Sequence, residues 1–147
     1  MNNTVYGGFE HVTIKALGIE DTIAKIDTGA YSGALHCSHI KTVVRKSDGK
    51  RVLQFIPSDN HAHLTEIEDY QVTNVRSSTG HRVKRYLFTT DIMIKGVTYP
   101  ITIGLSNRSD MQYEVLIGRR FLREHGIIVD VRINEELDND SNGNGKS

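Results

Sequence analysis

Two short segments of this sequence have residue types and spacing that could do chemistry. In Ala24-Lys25-Ile26-Asp27-Thr28-Gly29-Ala30, apolar and β-branched residues deliver an acid into a turn of small residues. A carboxylate there can accept hydrogen bonds from the backbone N–H groups of Gly29 and Ala30, and the lack of bulk lets a substrate or a second backbone come close. Alone, Asp27 could equally be an Asx-turn residue at a strand end. In the second segment, Glu114-Val115-Leu116-Ile117-Gly118-Arg119-Arg120-Phe121-Leu122, a buried-type strand runs through glycine into a helix. Alone, that is a strand-to-helix joint with Gly118 serving the turn.

A third set of groups could hold a metal. Cys37 with His39, and His61 with His63, are pairs with one residue between, which a strand would project to one face. Single-residue spacing is common by chance, and no acid is placed to activate a metal-bound water. The His-Glu-x-x-His helix is absent, and so is any Gly-x-x-x-x-Gly-Lys-Ser/Thr loop for nucleotide phosphates. The residues therefore predict neither a metal nor a cofactor.

The elements that must position these groups are mainly β. Runs rich in Val, Ile, Thr and Tyr alternate with Gly- or Asp-bearing turns, predicting strands over 10–16, 22–26, 40–46, 51–56, 66–76, 81–94, 97–105, 114–117 and 127–133. Turns fall at Gly18–Asp21, Ser47–Lys50, Ser77–Gly80 and Lys95-Gly96. One short C-terminal helix opens at Gly118 and closes at Gly126. The 147 residues, 37% of them apolar, suit one domain with one core. We place an N-terminal arm over 1–8, the domain over 9–137 and a disordered tail over 138–147, a stretch with no apolar residue. Eighteen basic and eighteen acidic residues leave no excess charge for nucleic acid, and no apolar run is long enough for a membrane span. With a single cysteine and no secretory pattern at Met1–Thr4, a cytoplasmic location is expected.

An apolar–Asp-Thr-Gly-Ala loop, followed much later by apolar–apolar–Gly-Arg at the start of the last helix, resembles the retropepsin half of the aspartic proteases. More narrowly, Lys25–Ala30 with Leu35-His36, Val75–Gly80, Arg108–Met111 and Val115–Arg119 resemble the retropepsin-like proteins called RimB-like, also known as ATP-dependent zinc proteases. The resemblance implies a closed acid-protease barrel in which the second strand crosses behind the acid loop, with Gly118 allowing close packing and Arg119 beside it.

The activity it implies is peptide hydrolysis by two carboxylates sharing one proton over a water. The chain has one Asp-Thr-Gly, so a homodimer would bring two Asp27 side chains to its axis, with Thr28 bracing the loops and Gly29 giving access. Ala30 with Arg76, Ser77, Ser78 and Gly80, the last four around a flap tip, would bind a peptide or modified-protein substrate. Where viral members carry further acids, Tyr31-Ser32-Gly33-Ala34 follows here, so Arg119 is expected to pair with Asp110, Asp130 or local carbonyls. Family members are associated with ATP-grasp glutamate ligases, which implies a functional link to such a partner. The rival reading is a non-catalytic module that holds an extended peptide on the same barrel, and a weaker one is a zinc-dependent peptidase.

Overall fold

The computed structural model describes residues 4–57, 64–76, 79–107 and 112–139. The strands are β1 (Thr4–Tyr6), β2 (Phe9–Ile14), β3 (Ile19–Ile26), β4 (Gly33–Val44), β5 (Arg51–Pro57), β6 (Thr65–Ile67), β7 (Gln71–Arg76), β8 (Arg82–Ile94), β9 (Val97–Ser106), β10 (Val115–Ile117) and β11 (Ile127–Val129). One α-helix, α1 (Arg119–Glu124), lies between β10 and β11.

Alternation in the sequence becomes a barrel because every second side chain points inward. The strand order β10-β3-β2-β8-β9-β4 closes on itself where β4 pairs back to β10, giving six strands. Val12 and Ile14, Ala24 and Ile26, Leu35 and Cys37, Ile92 and Ile94, Ile101 and Ile103, and Val115 and Ile117 fill the interior in alternating pairs. β5 and β6 extend the sheet beyond β4, and β7 pairs with β8. The fold is thus mainly β, a retropepsin-like closed barrel with a single short helix.

Several elements differ from the sequence reading: β1 lies within the expected N-terminal arm, β3 begins at Ile19 inside the expected turn, and three further segments change. β4 begins at Gly33, although His36, Ser38 and His39 make the stretch from Gly33 to His39 look polar. Closure of the barrel decides it, since Leu35 pairs with Val115 and neither side chain meets solvent. The stretch 66–76 is broken at Glu68–Tyr70 into β6, paired with β5, and β7, paired with β8. The stretch 127–133 stops at Val129, where the Ile133 N–H turns back to the Asp130 carbonyl at 3.0 Å.

The chain ends meet beside the barrel. β1 runs parallel to β11, with Val5 opposite Ile128. Buried Glu10 accepts hydrogen bonds from the Gly7 N–H at 2.7 Å and from Asn134 Nδ2 at 3.1 Å, so its desolvation is offset by partners from both ends. The Asn139 N–H donates to the Tyr113 hydroxyl at 2.8 Å, and residues 140–147 of the expected tail lie outside the described ones.

Leu35→Ala removes a fully buried side chain at the closing seam, where neighbouring strands cannot collapse inward. It should lower unfolding free energy by about 2–5 kcal/mol, read from a urea midpoint shift at unchanged slope.

Candidate active site

The acid loop is held from below by backbone. β3 ends at Ile26, and the next N–H, that of Asp27, donates to the Ile117 carbonyl of β10 at 2.8 Å. The Asp27 carboxylate folds back over its own turn, where Oδ1 accepts from the Gly29 N–H at 3.0 Å, and the Ala30 N–H donates to the Asp27 carbonyl at 3.2 Å. Oδ2 has no hydrogen bond among the described residues. The carboxylate is half-buried, while Thr28 and Gly29 are exposed.

β10 crosses behind this loop, parallel to β3 with Ile117 opposite Ile26, and antiparallel to β4 with Leu116 opposite Ala34. The start of α1 completes the hold. The Arg119 N–H donates to the Ala30 carbonyl at 2.8 Å, and the Arg120 N–H to the Tyr31 carbonyl at 3.0 Å. Two glycines make the crossing possible. A Cβ on Gly118 would stand 2.5 Å from the Tyr31 carbonyl oxygen, and one on Gly33 would stand 2.7 Å from that of Leu116. The Arg119 guanidinium reaches over the same loop, donating to the Gly29 carbonyl at 3.1 Å with its Cζ 5.5 Å from the Tyr31 ring centre. Asp130 is instead engaged by Arg132 at 2.8 Å, and Asp110 lies outside the described residues. Of the alternatives expected for Arg119, the described residues bear out a local carbonyl, to which the Tyr31 ring is added.

The site residues expected from the sequence separate into groups. Asp27, Gly29, Ala30 and Arg119 share one hydrogen-bond network, with Thr28 inside the same turn and Gly118 packed against the Tyr31 carbonyl. Arg76 and Gly80 stand at the far end of the β7–β8 hairpin, Arg76 opposite Arg82 and Gly80 with φ +88°. Ser77 and Ser78 lie outside the described residues. Gly33 and Tyr31 were not singled out by the sequence reading. The only signal for Gly33 was a glycine among small residues soon after the acid turn.

The zinc ligand set does not fit where it can be inspected. The Cys37 side chain faces the core, its Sγ directed at the Leu35 carbonyl, and burial pushes its thiol up to about 12. His39, by contrast, is exposed beyond a register irregularity in β4. A thiol so hard to ionise is a poor metal ligand. His61 and His63 lie outside the described residues, and among the described ones no three His, Cys, Asp or Glu side chains gather.

The carboxylate and its polar turn can orient one water and accept a proton, which is half of an acid–base pair. Because Gly118 has an ordinary φ of −92°, substitution there acts through collision with fixed backbone. Gly126 is the reverse case, with φ +64° and open space around it. Gly126→Ala should cost only about 1–2 kcal/mol, whereas Gly118→Ala should cost more and disturb the loop. Thermal unfolding of both variants checks the order.

A family model described as "Retropepsin-like aspartic endopeptidase RimB" matches residues 5–138. A probable alpha-L-glutamate ligase of Shewanella pealeana is 25% identical over 130 residues, covering 86% of this chain and 28% of the ligase. One from Desulfotalea psychrophila is 25% identical over 134 residues, covering 84% and 27%. The chain thus spans little more than a quarter of the length of these relatives. The crystal structure of a Legionella pneumophila protein of unknown function superposes with a TM-score of 0.70 at 28% identity, over 90% of this chain and 96% of that one. The closed barrel, the Asp27 loop with β10 crossing behind it, and a family match over nearly all the described residues together make this chain a member of the RimB-like family of retropepsin-like proteins.

Proposed function

We propose that the protein is an aspartic endopeptidase that works as a homodimer, with one Asp27 from each subunit activating the hydrolytic water. The observation that carries this reading is the half-buried Asp27 carboxylate, fixed by the Gly29 N–H in a loop that β10 and Arg119 brace from behind. A turn needs no such bracing. Catalysis needs a carboxylate held to within a fraction of an ångström.

In the mechanism, two carboxylates facing each other share one proton, because two like charges so close cannot both remain ionised. The ionised one takes a proton from water as the water oxygen attacks the peptide carbonyl carbon. The protonated one donates to the carbonyl oxygen. The resulting diol collapses as the C–N bond breaks and the amine leaves with a proton returned from the pair.

Several features favour a second copy as the missing partner. Thr28 is exposed beside the acid, where its hydroxyl could meet the partner's loop. The chain ends are tied to the acid strand through Gly8, whose carbonyl accepts from the Ile26 N–H at 2.9 Å while its own N–H donates to the Ile133 carbonyl at 3.2 Å. Around that junction Val5, Ile128, Val131 and Ile133 expose apolar surface, Val131 at 74%. This apolar patch borders the junction bonded to Ile26, the residue before the acid, and suits a twofold interface.

The relatives are named as glutamate ligases, and this chain corresponds to a segment within them. That supports a functional link to an ATP-grasp ligase, with a peptide or a protein carrying ligase-added residues as the substrate.

Asp27→Asn keeps the side-chain volume and removes the base. It should abolish cleavage by more than the ~10²–10⁴-fold typical for one general base, with the circular dichroism spectrum unchanged. The pH profile of the unaltered enzyme should be bell-shaped, with both limbs belonging to the pair. Cleavage should also survive chelators. Undiminished cleavage by Asp27→Asn would end the protease reading and leave the peptide-binding module. Sedimentation should find a dimer, alone or with substrate, and a strict monomer under both conditions would remove the second carboxylate.

A further inference from the structure

Tyr31 is 51% exposed, so burial does not account for an aromatic ring placed just beyond the acid turn. Its backbone, by contrast, is held firmly. The Tyr31 carbonyl accepts the Arg120 N–H at 3.0 Å and stands 2.5 Å from the point where a Gly118 Cβ would lie. The ring therefore leaves a fixed backbone position. It meets the Arg119 guanidinium, whose Cζ is 5.5 Å from the ring centre. A guanidinium over an aromatic face is attracted by the ring quadrupole, and its N–H donors stay free for other acceptors. Here one of those donors goes to the Gly29 carbonyl at 3.1 Å.

Gly29 carries that contact to the acid. Its carbonyl accepts from Arg119, and its own N–H donates to Asp27 Oδ1 at 3.0 Å. Gly29 is exposed and has no side chain to pack, so hydrogen bonds must fix it. Among the described residues Arg119 makes no ion pair, and the ring is the contact that keeps a long, rotamer-rich side chain over the loop. One chain of contacts thus runs from the Tyr31 ring through the Arg119 guanidinium and the Gly29 backbone to the Asp27 carboxylate. An aspartate in place of the ring would hold the guanidinium by charge and release it on protonation, whereas attraction to a ring face involves no titrating proton.

We infer that Tyr31 is a positioning residue for the hydrolysis proposed above, acting through Arg119 and Gly29 on the orientation of the Asp27 carboxylate. The inference rests on the peptidase reading for its effect on rate, and the contact chain itself is independent of that reading. The feature that matters is the ring face. The Tyr31 hydroxyl makes no hydrogen bond among the described residues, so phenylalanine retains what the brace uses and leucine retains only apolar bulk.

The test compares Tyr31→Phe and Tyr31→Leu in the full chain. Amide hydrogen exchange read by NMR should leave the Gly29 N–H within about twofold of the unaltered protein in Tyr31→Phe and speed it about fivefold or more in Tyr31→Leu. The amide of Ile103, whose side chain is fully buried in β9, should be unchanged in both. On a fluorogenic oligoglutamate peptide, Tyr31→Leu should lower kcat about tenfold or more at constant KM, and Tyr31→Phe should restore it. Added to Arg119→Lys, which already lacks the planar fork, Tyr31→Leu should cost nothing more. Unchanged Gly29 exchange in Tyr31→Leu, failure of Tyr31→Phe to restore it, or a further loss in the Arg119→Lys background would overturn the brace. A rise in KM at unchanged kcat would make Tyr31 a substrate contact and end the positioning role. If the unaltered chain cleaves nothing while Gly29 responds as expected, the peptidase reading falls and the contact chain stands. Normal cleavage with an unresponsive Gly29 does the reverse.

Discussion

The structure depends on one crossing, the passage of β10 between β3 and β4. Val115, Leu116 and Ile117 pair with β3, and Val115 and Leu116 pair with β4 as well, so this short strand closes the barrel. The same strand supplies the carbonyl that fixes the Asp27 N–H and leads through Gly118 into the helix that fixes Ala30 and Tyr31. Two glycines set how closely the strands approach, because at Gly118 and Gly33 the opposing atoms are carbonyl groups that cannot yield. Barrel integrity and acid-loop geometry are therefore one property, and a change that loosens the crossing loosens both.

A loop so well held presents only half of the chemistry. One ionised carboxylate can accept a proton from water but cannot also protonate a carbonyl oxygen, so acid–base hydrolysis needs a second titratable group opposite. Among the described residues no second carboxylate is hydrogen-bonded to the Asp27 turn. In the homodimer proposed above, the exposed Val5, Ile128, Val131 and Ile133 at the joined chain ends would supply the apolar contact that drives association.

Legibility in the sequence followed how local each determinant is. The helix after Gly118 and its end at Gly126 were readable because capping is decided by adjacent residues. Hairpin strands such as β8 and β9 were readable from period-two alternation around Lys95-Gly96. The first half of β4 was not, because its strand character comes from β9 and β10, distant in sequence, and its histidines obscure the buried Leu35 and Cys37. The acid turn stood out by composition, but its bracing did not. Of the partners open to Arg119, the Gly29 carbonyl is the one it takes, with the Tyr31 ring beside it, a choice that depends on three-dimensional closure. Likewise Cys37 and His39 look like a ligand pair at strand spacing, and the bulge at His39 separates them.

Whole-chain charge is a poor guide to the charge of any one surface. The formal net charge is zero, yet the charges are sorted by place. Around the β4–β5–β6 extension, Arg45 and Lys50 face Asp48, Glu66 and Glu68, and the Arg45 guanidinium holds the Asp48 carboxyl down to about 2. That cluster comes close to balancing itself, two bases against three acids, and projects little field. Along the β7–β8 hairpin Arg76, Arg82, Lys84 and Arg85 have no carboxylate partner among the described residues, so the positive charge of a formally neutral chain gathers at that end of the sheet. The balance that argues against a nucleic-acid groove thus coexists with an uneven distribution of charge, because a long polyanion integrates charge over a whole face and a local field extends only about a Debye length.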